Sequence, residues 1–143
     1  MHKSEFILSI IGYYRDEYRT EFPSLAGLFF VYRGVYNNEL NRCTLKQLLF
    51  VGQSDDLKQA CNDPQLRSNI LGKLQEGEMI FYTLAYTNEY SGDDRMQICD
   101  SLIYELRPIL NDVISEYKYQ PTSIIVEGNR HAFVPTRIDA PSF

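Results

Sequence analysis

"LFFVYRGVYNNELNRCTLKQLLFVGQSDDLKQA" (residues 28–60) contains two aromatic, β-branched runs separated by a polar stretch, and ends in Gly-x-Ser followed by two aspartates. Rings and branched side chains fit a half-buried pleated surface, so LFFVYRGVY and LLFVG predict two strands. NNELNRCTLKQ is turn-rich and predicts a hairpin loop longer than usual. Beyond Gly52, Ser54 is placed to cap a short helix, and Asp55 and Asp56 suit its positive first turn.

The flanks complete the pattern. Ser4 can cap a helix running to about Arg19, because Phe6, Ile7, Ile10, Ile11, Tyr14 and Tyr18 recur at helical spacing. Asp63-Pro64 restarts a helix in the preferred cap-then-proline order, with Leu66, Ile70, Leu71 and Leu74 on one face, and Gly77 closes it. MIFYTLAYT (79–87) predicts a third strand. From about Asp93 a long helix carries Met96, Cys99, Leu102, Ile103, Leu106 and Leu110 as its apolar stripe, and Pro108 bends or ends it. TSIIVEGNRHAFVPTRI predicts a C-terminal hairpin about Gly128-Asn129, with His131 in its second strand. The expected order α-β-β-α-α-β-α-β-β gives an α+β domain with a small, largely antiparallel sheet flanked by helices. The 143 residues suit a single domain.

Fourteen Lys and Arg stand against nineteen Asp and Glu, a formal charge of −5. That balance, with no basic run, weighs against an extended nucleic-acid footprint. Cys43, Cys61 and Cys99 have neither CxxC nor Cys-His spacing, so free thiols in a reducing compartment are expected and no metal site is. FILSIIGYY resembles a signal-peptide core, but Arg15-Asp16-Glu17 follows without a small-residue cleavage site. It is also too short to span a bilayer. A cytoplasmic protein with no membrane contact is the expectation.

Phe50-Val51-Gly52-Gln53-Ser54-Asp55-Asp56-Leu57-Lys58-Gln59-Ala60 is similar to the second motif of the GIY-YIG nuclease superfamily: aromatic-Ile/Val-Gly-x-Ser/Thr-x-x-Leu-x-x-Arg. The first motif of that family has two candidate positions. Gly34-Val35-Tyr36 has the literal pattern, yet Asn-Asn follows at once. Gly27-Leu28-Phe29, after Pro23 and a short turn, matches the family's context better and implies an enlarged hairpin loop. Arg95–Asn111 resembles the family's later helix, with Leu102-Ile103, Pro108 and Asn111 at its spacing. The resemblance covers residues 27–111, leaving residues 1–20 as an added helix and 121–139 as an added hairpin.

In that family two tyrosines act on the attacking water, an arginine steadies the phosphate and a glutamate holds a divalent metal. The resemblance maps these four positions to Phe29, Phe50, Ala60 and Cys99. A hydroxyl, a planar guanidinium and a hard carboxylate are the groups such chemistry needs, and all are missing. The expectation is therefore a catalytically degenerate, non-enzymatic binding or regulatory module without cofactors. Its partner would be a protein or a nucleic acid, met through Gly52, Gln53, Ser54, Lys58 and Arg67. There Gly52 would let a substrate approach, and Ser54 would cap a helix whose amides could face a phosphate. Two alternatives stand beside it. One is a divergent endonuclease using Mg²⁺ or Mn²⁺, with Asp100, Glu105, Tyr32 or Tyr36 as relocated groups. The other is an unrelated α+β interaction module.

Overall fold

A computed structural model describes residues 3–129 and 133–142. Among them it forms an α+β fold with one six-stranded mixed sheet. The strands are β1 (Ser4–Arg15), β2 (Gly27–Asn37), β3 (Arg42–Ser54), β4 (Met79–Tyr86), β5 (Thr122–Gly128) and β6 (Arg137–Ala140), and the spatial order is β3-β2-β4-β1-β5-β6. Helices α1 (Leu57–Cys61), α2 (Pro64–Leu71) and α3 (Gly92–Leu106) and a 3-10 turn (Asp16–Glu21) complete the described elements. No helix of the described residues is long and apolar enough to cross a membrane.

The N-terminal segment is a strand, which corrects the expected helix. Phe6, Leu8 and Ile10 are 7%, 1% and 1% exposed, whereas Ile7 is 52% exposed. That is a period of two, and the helical grouping placed Ile7 on the buried face. Both periods fit an apolar run this dense; pairing decides between them. The first half of β1 runs parallel to β5 (Ser4↔Thr122 to Ile10↔Gly128), and the second half runs antiparallel to β4 (Ile11↔Leu84 to Arg15↔Phe81). The switch falls at a register shift between Gly12 and Tyr14. The β1–β5 contact makes the sheet mixed; the other pairings are antiparallel.

The expected long hairpin loop is also corrected. Strands β2 and β3 stay paired out to Asn37↔Arg42, so the turn is confined to residues 38–41. Asn37 Oδ1 accepts from the amides of Glu39 and Leu40 at 3.0 and 3.1 Å, an Asx turn that closes the hairpin tightly. Asn41 takes a left-handed φ of 51°. Register shifts at Val31/Tyr32 and Arg33/Gly34 let the strands absorb the additional residues. The literal Gly34-Val35-Tyr36 thus lies within β2 and not at its end.

Three boundaries move. Ser54 ends β3, and Asp56 caps α1 by accepting from the Gln59 amide at 3.1 Å. Asp63 caps α2 as expected, but the helix stops at Leu71, with Gly72 and not Gly77 as its C-cap. Helix α3 starts at Gly92 under a Ser91 cap and stops at Leu106, where Arg107 turns left-handed before Pro108. At the C-terminus β6 begins only at Arg137, pairing from Thr122↔Ala140 to Ile125↔Arg137, so Phe133 and Val134 belong to no strand. His131 lies outside the described residues.

The core lies on both faces of the sheet. Phe30, Tyr32, Leu48 and Val51 pack with Ile98, Cys99 and Leu102 of α3, while Phe29, Val31, Leu49 and Tyr82 pack with Leu57, Cys61 and Ile70 of α1 and α2. Strand β3 is consequently an outer strand with helices on either side of its end.

Candidate binding cleft at the edge strand

Strand β3 alternates its side chains, so Phe50 and Gly52 face α1 and α2 while Val51 and Gln53 face α3. Where the strand ends, the walls separate and leave an open cleft of about 550 Å³ wrapped around the strand edge. Phe29, Phe50, Gly52, Ala60 and Leu66 line one side; Met96, Cys99 and Ile103 line the other; Gln53, Ser54, Asp63 and Asn111 supply polar atoms.

The four positions that the resemblance assigns to lost chemistry, Phe29, Phe50, Ala60 and Cys99, therefore meet in one cleft. The Phe29 and Phe50 rings lie 5.8 Å apart. The expected role of Gly52 changes here. A Cβ on Gly52 would fall 2.6 Å from Phe29 Cε1 and 2.8 Å from Phe50 Cε2, so the missing side chain makes room for rings and not for a substrate. Burial pushes the Cys99 thiol up to about 12, with the neighbouring Asp100 charge adding to the effect. At neutral pH it is a small apolar group, unsuited to nucleophilic attack or metal ligation.

Among the suggested binding residues, Gly52, Gln53 and Ser54 line the cleft, whereas Lys58 and Arg67 do not. Arg67 points to the 3-10 turn, where its guanidinium donates to both Asp16 oxygens at 2.6 and 3.1 Å. Tyr82 donates to the same carboxylate at 3.1 Å. Burial raises the Tyr82 hydroxyl, as does the adjacent carboxylate. Ser54 Oγ accepts from the Asp56 amide at 2.9 Å and donates to the Asp56 carbonyl at 3.0 Å, so it shapes the turn into α1. That helix has only five residues, and the Asp56 carboxylate already occupies the Gln59 amide, which removes the expected phosphate seat.

The relocated groups lie elsewhere. Tyr32 is wholly buried among the α3-side core, with its hydroxyl raised by burial. Tyr36 lines a separate tyrosine-rich hollow beside Arg15. Asp100 accepts from Tyr119 at 2.6 Å, and Glu105 accepts from the Ser142 amide at 3.0 Å. None of the four lines the cleft. The described residues contain no group of three or more His, Cys, Asp or Glu able to hold a metal ion.

Two features were hidden from residue spacing. Buried Arg95, 6% exposed, donates through Nε to Gln53 Oε1 at 2.9 Å and pairs with Asp55, fastening α3 to the end of β3. Asn111 uses its side-chain amide as a strand would use its backbone: Oδ1 accepts from Val51 N–H and Nδ2 donates to Val51 C=O, both at 2.9 Å. Leu110 N–H donates to Leu49 C=O at 2.9 Å beside it. The Asn111 position was visible as part of a family-like spacing; its bonds were not. No family model, curated protein or solved structure matches the chain.

Proposed function

We propose that this chain is a catalytically degenerate GIY-YIG-like domain that acts by binding a protein segment in the cleft at the end of β3. The observation that carries this reading is the convergence of Phe29, Phe50, Ala60 and Cys99 in that one cleft, where the family would place its reactive groups. Phosphodiester hydrolysis needs a proton acceptor and charge stabilisation at the phosphate, each worth orders of magnitude in rate. The cleft presents rings, a methyl and a protonated thiol in their place.

A protein ligand is favoured over a nucleic acid by the same wall. Nucleic-acid affinity rests on Lys and Arg neutralising phosphates, and among the described residues neither type lines the cleft. Aromatic and aliphatic walls with a few fixed polar atoms suit an apolar side chain.

The test pairs two assays on the full chain. Incubation with supercoiled plasmid, branched DNA and single-stranded DNA in Mg²⁺ or Mn²⁺ is expected to give no cleavage. Fluorescence anisotropy with labelled single- and double-stranded oligonucleotides is expected to show no salt-dependent binding. Metal-dependent cleavage that disappears in Ser54→Ala or Asp63→Asn would overturn the non-catalytic reading. Oligonucleotide binding abolished by Met96→Glu would overturn the choice of a protein ligand.

A further inference from the structure

Resting on that reading of the cleft, we infer that its ligand is an extended peptide that joins the edge of β3 at Gln53 as a short added strand, with a basic residue beside its apolar anchor. Main-chain geometry is the starting point. Backbone groups of a strand in an antiparallel pair alternate between facing the partner and facing away. The Val51 N–H and C=O face away from β2, because Asn111 holds both. Leu49 C=O also faces away, to Leu110. From Phe50 to Ser54 the register to β2 runs without a shift, so Gln53 is the next residue whose N–H and C=O face outward.

The chain's own strand substitute ends at Asn111, one outward pair short of Gln53, and both residues line the cleft. A peptide residue opposite Gln53 would make the two bonds that continue this ladder, which is how peptides add to sheet edges. Its side chain would fall on the Met96 side, and that of its neighbour on the Phe29–Phe50 side, because successive residues alternate faces. Two adjacent apolar residues would therefore fill both walls. The edge is also held in place, since Gln53 accepts from Arg95; a preorganised edge costs a ligand less to order.

Charge selects the flank. Among the described residues Asp63 is the one charged residue lining the cleft; Asp55, which follows Ser54, is already paired with Arg95 and adds no unpaired charge. With a formal charge of −5 on the whole chain, a peptide carrying Lys or Arg beside its apolar pair is the complementary partner.

The test is selection from a phage-displayed library of random linear peptides against the full chain, followed by synthesis of the recovered sequence. The expected peptides have adjacent apolar residues with a Lys or Arg nearby, bind more weakly in high salt, and slow hydrogen exchange at the Gln53 amide. N-methylation of the peptide residue opposite Gln53 should weaken binding roughly three- to tenfold, the effect of one hydrogen bond. Ala60→Trp, which fills the cleft, and Met96→Glu, at an exposed position that leaves the fold intact, should each abolish it. Peptides blocked by these variants that leave Gln53 exchange unchanged, tolerate every N-methyl group or lack a basic residue would overturn the added strand and its charge preference, while the cleft remained a binding site. Peptides insensitive to both variants, or no enrichment at all, would overturn the inference and the protein-binding reading together.

Discussion

Replacing Asn111 by alanine removes the two side-chain bonds that tie the segment after α3 to the outer edge of β3. Each is a neutral amide bond of 2.9 Å to the Val51 main chain. Such bonds contribute about 0.5–1.5 kcal/mol apiece, so the pair is worth about 2 kcal/mol. For a chain of this length that corresponds to a fall in Tm of about 4–8 °C. Thermal unfolding followed by circular dichroism checks the shift, and urea unfolding with an unchanged m-value shows that stability and not compactness has moved. Asn111→Asp is the discriminating companion. At neutral pH its carboxylate still accepts from the Val51 amide but faces the Val51 carbonyl without a proton to donate. The new carboxyl has its bonding form when protonated, so its folded pKa is raised, and the stability it restores grows as pH falls through that value. Relative to the native protein at each pH, Asn111→Asp should recover towards acid and Asn111→Ala should not. A Tm for Asn111→Ala within about 1 °C of the native value would refute the account of Asn111 as a strand substitute.

Further outcomes follow from the packing and the titratable groups. Gly52→Ala should cost about 1–3 kcal/mol by overpacking against Phe29 and Phe50, read as a lower urea midpoint; an unchanged midpoint would mean that the rings have room to move. Asp16→Ala should cost about 1–3 kcal/mol, because it strips the acceptor from Arg67 and from the buried Tyr82 hydroxyl, and Asp16→Asn, which keeps an acceptor, should recover part of the loss. Burial holds the Cys61 and Cys99 thiols up at about 12, so neither should react with a chromogenic disulfide in the folded protein at mildly alkaline pH, while half-buried Cys43 should react. The same shifts make stability pH-dependent. Cys61, Cys99, Tyr32 and Tyr82 all have raised folded values, so the unfolded chain ionises first and stability is lost as pH rises through the ordinary thiol and phenol range. Each such group steepens the loss by about 1.4 kcal/mol per pH unit. A urea midpoint that stays level as pH rises through that range would contradict it.

The legible parts of this fold were those with one consistent local signal. Strand β4 is a continuous apolar run of strand-forming residues, and the Asp63-Pro64 start of α2 and the body of α3 each have a proper cap. Residues 4–15 failed because Phe6, Ile7, Leu8, Ile10 and Ile11 satisfy two periods at once, and the choice rests on partners in residues 79–86 and 122–128. The hairpin turn failed because polarity in residues 37–47 looked like loop, whereas only residues 38–41 turn and residues 42–47 belong to the outer strand β3, largely with one face to solvent. In the cleft, Phe29, Phe50, Ala60 and Cys99 were reached through the resemblance, since nothing in their spacing alone brings them together. Arg67 was named as a binding residue because its partner, Asp16, lies in a segment assigned to the wrong element. Arg95 and the bonds of Asn111 depend on where α3 meets β3, which a one-dimensional pattern does not contain.

The position of β1 has a consequence for how the chain is made. Ser4–Arg15 leaves the ribosome well before its neighbours in the sheet, which begin at Met79 and Thr122. The β2–β3 hairpin can close on local contacts as soon as it emerges, and β4 can dock beside it. Residues 11–15 of β1 can then pair with β4, but the apolar residues 4–10 must wait until β5 has emerged. Phe6, Leu8 and Ile10 are thus buried late, and a nascent chain arrested before β5 would carry the β3-β2-β4 platform with the first half of β1 still unpaired along one edge. Ribosome-bound fragments ending before residue 122 should therefore be more prone to capture by holdase chaperones than fragments that include β5 and β6.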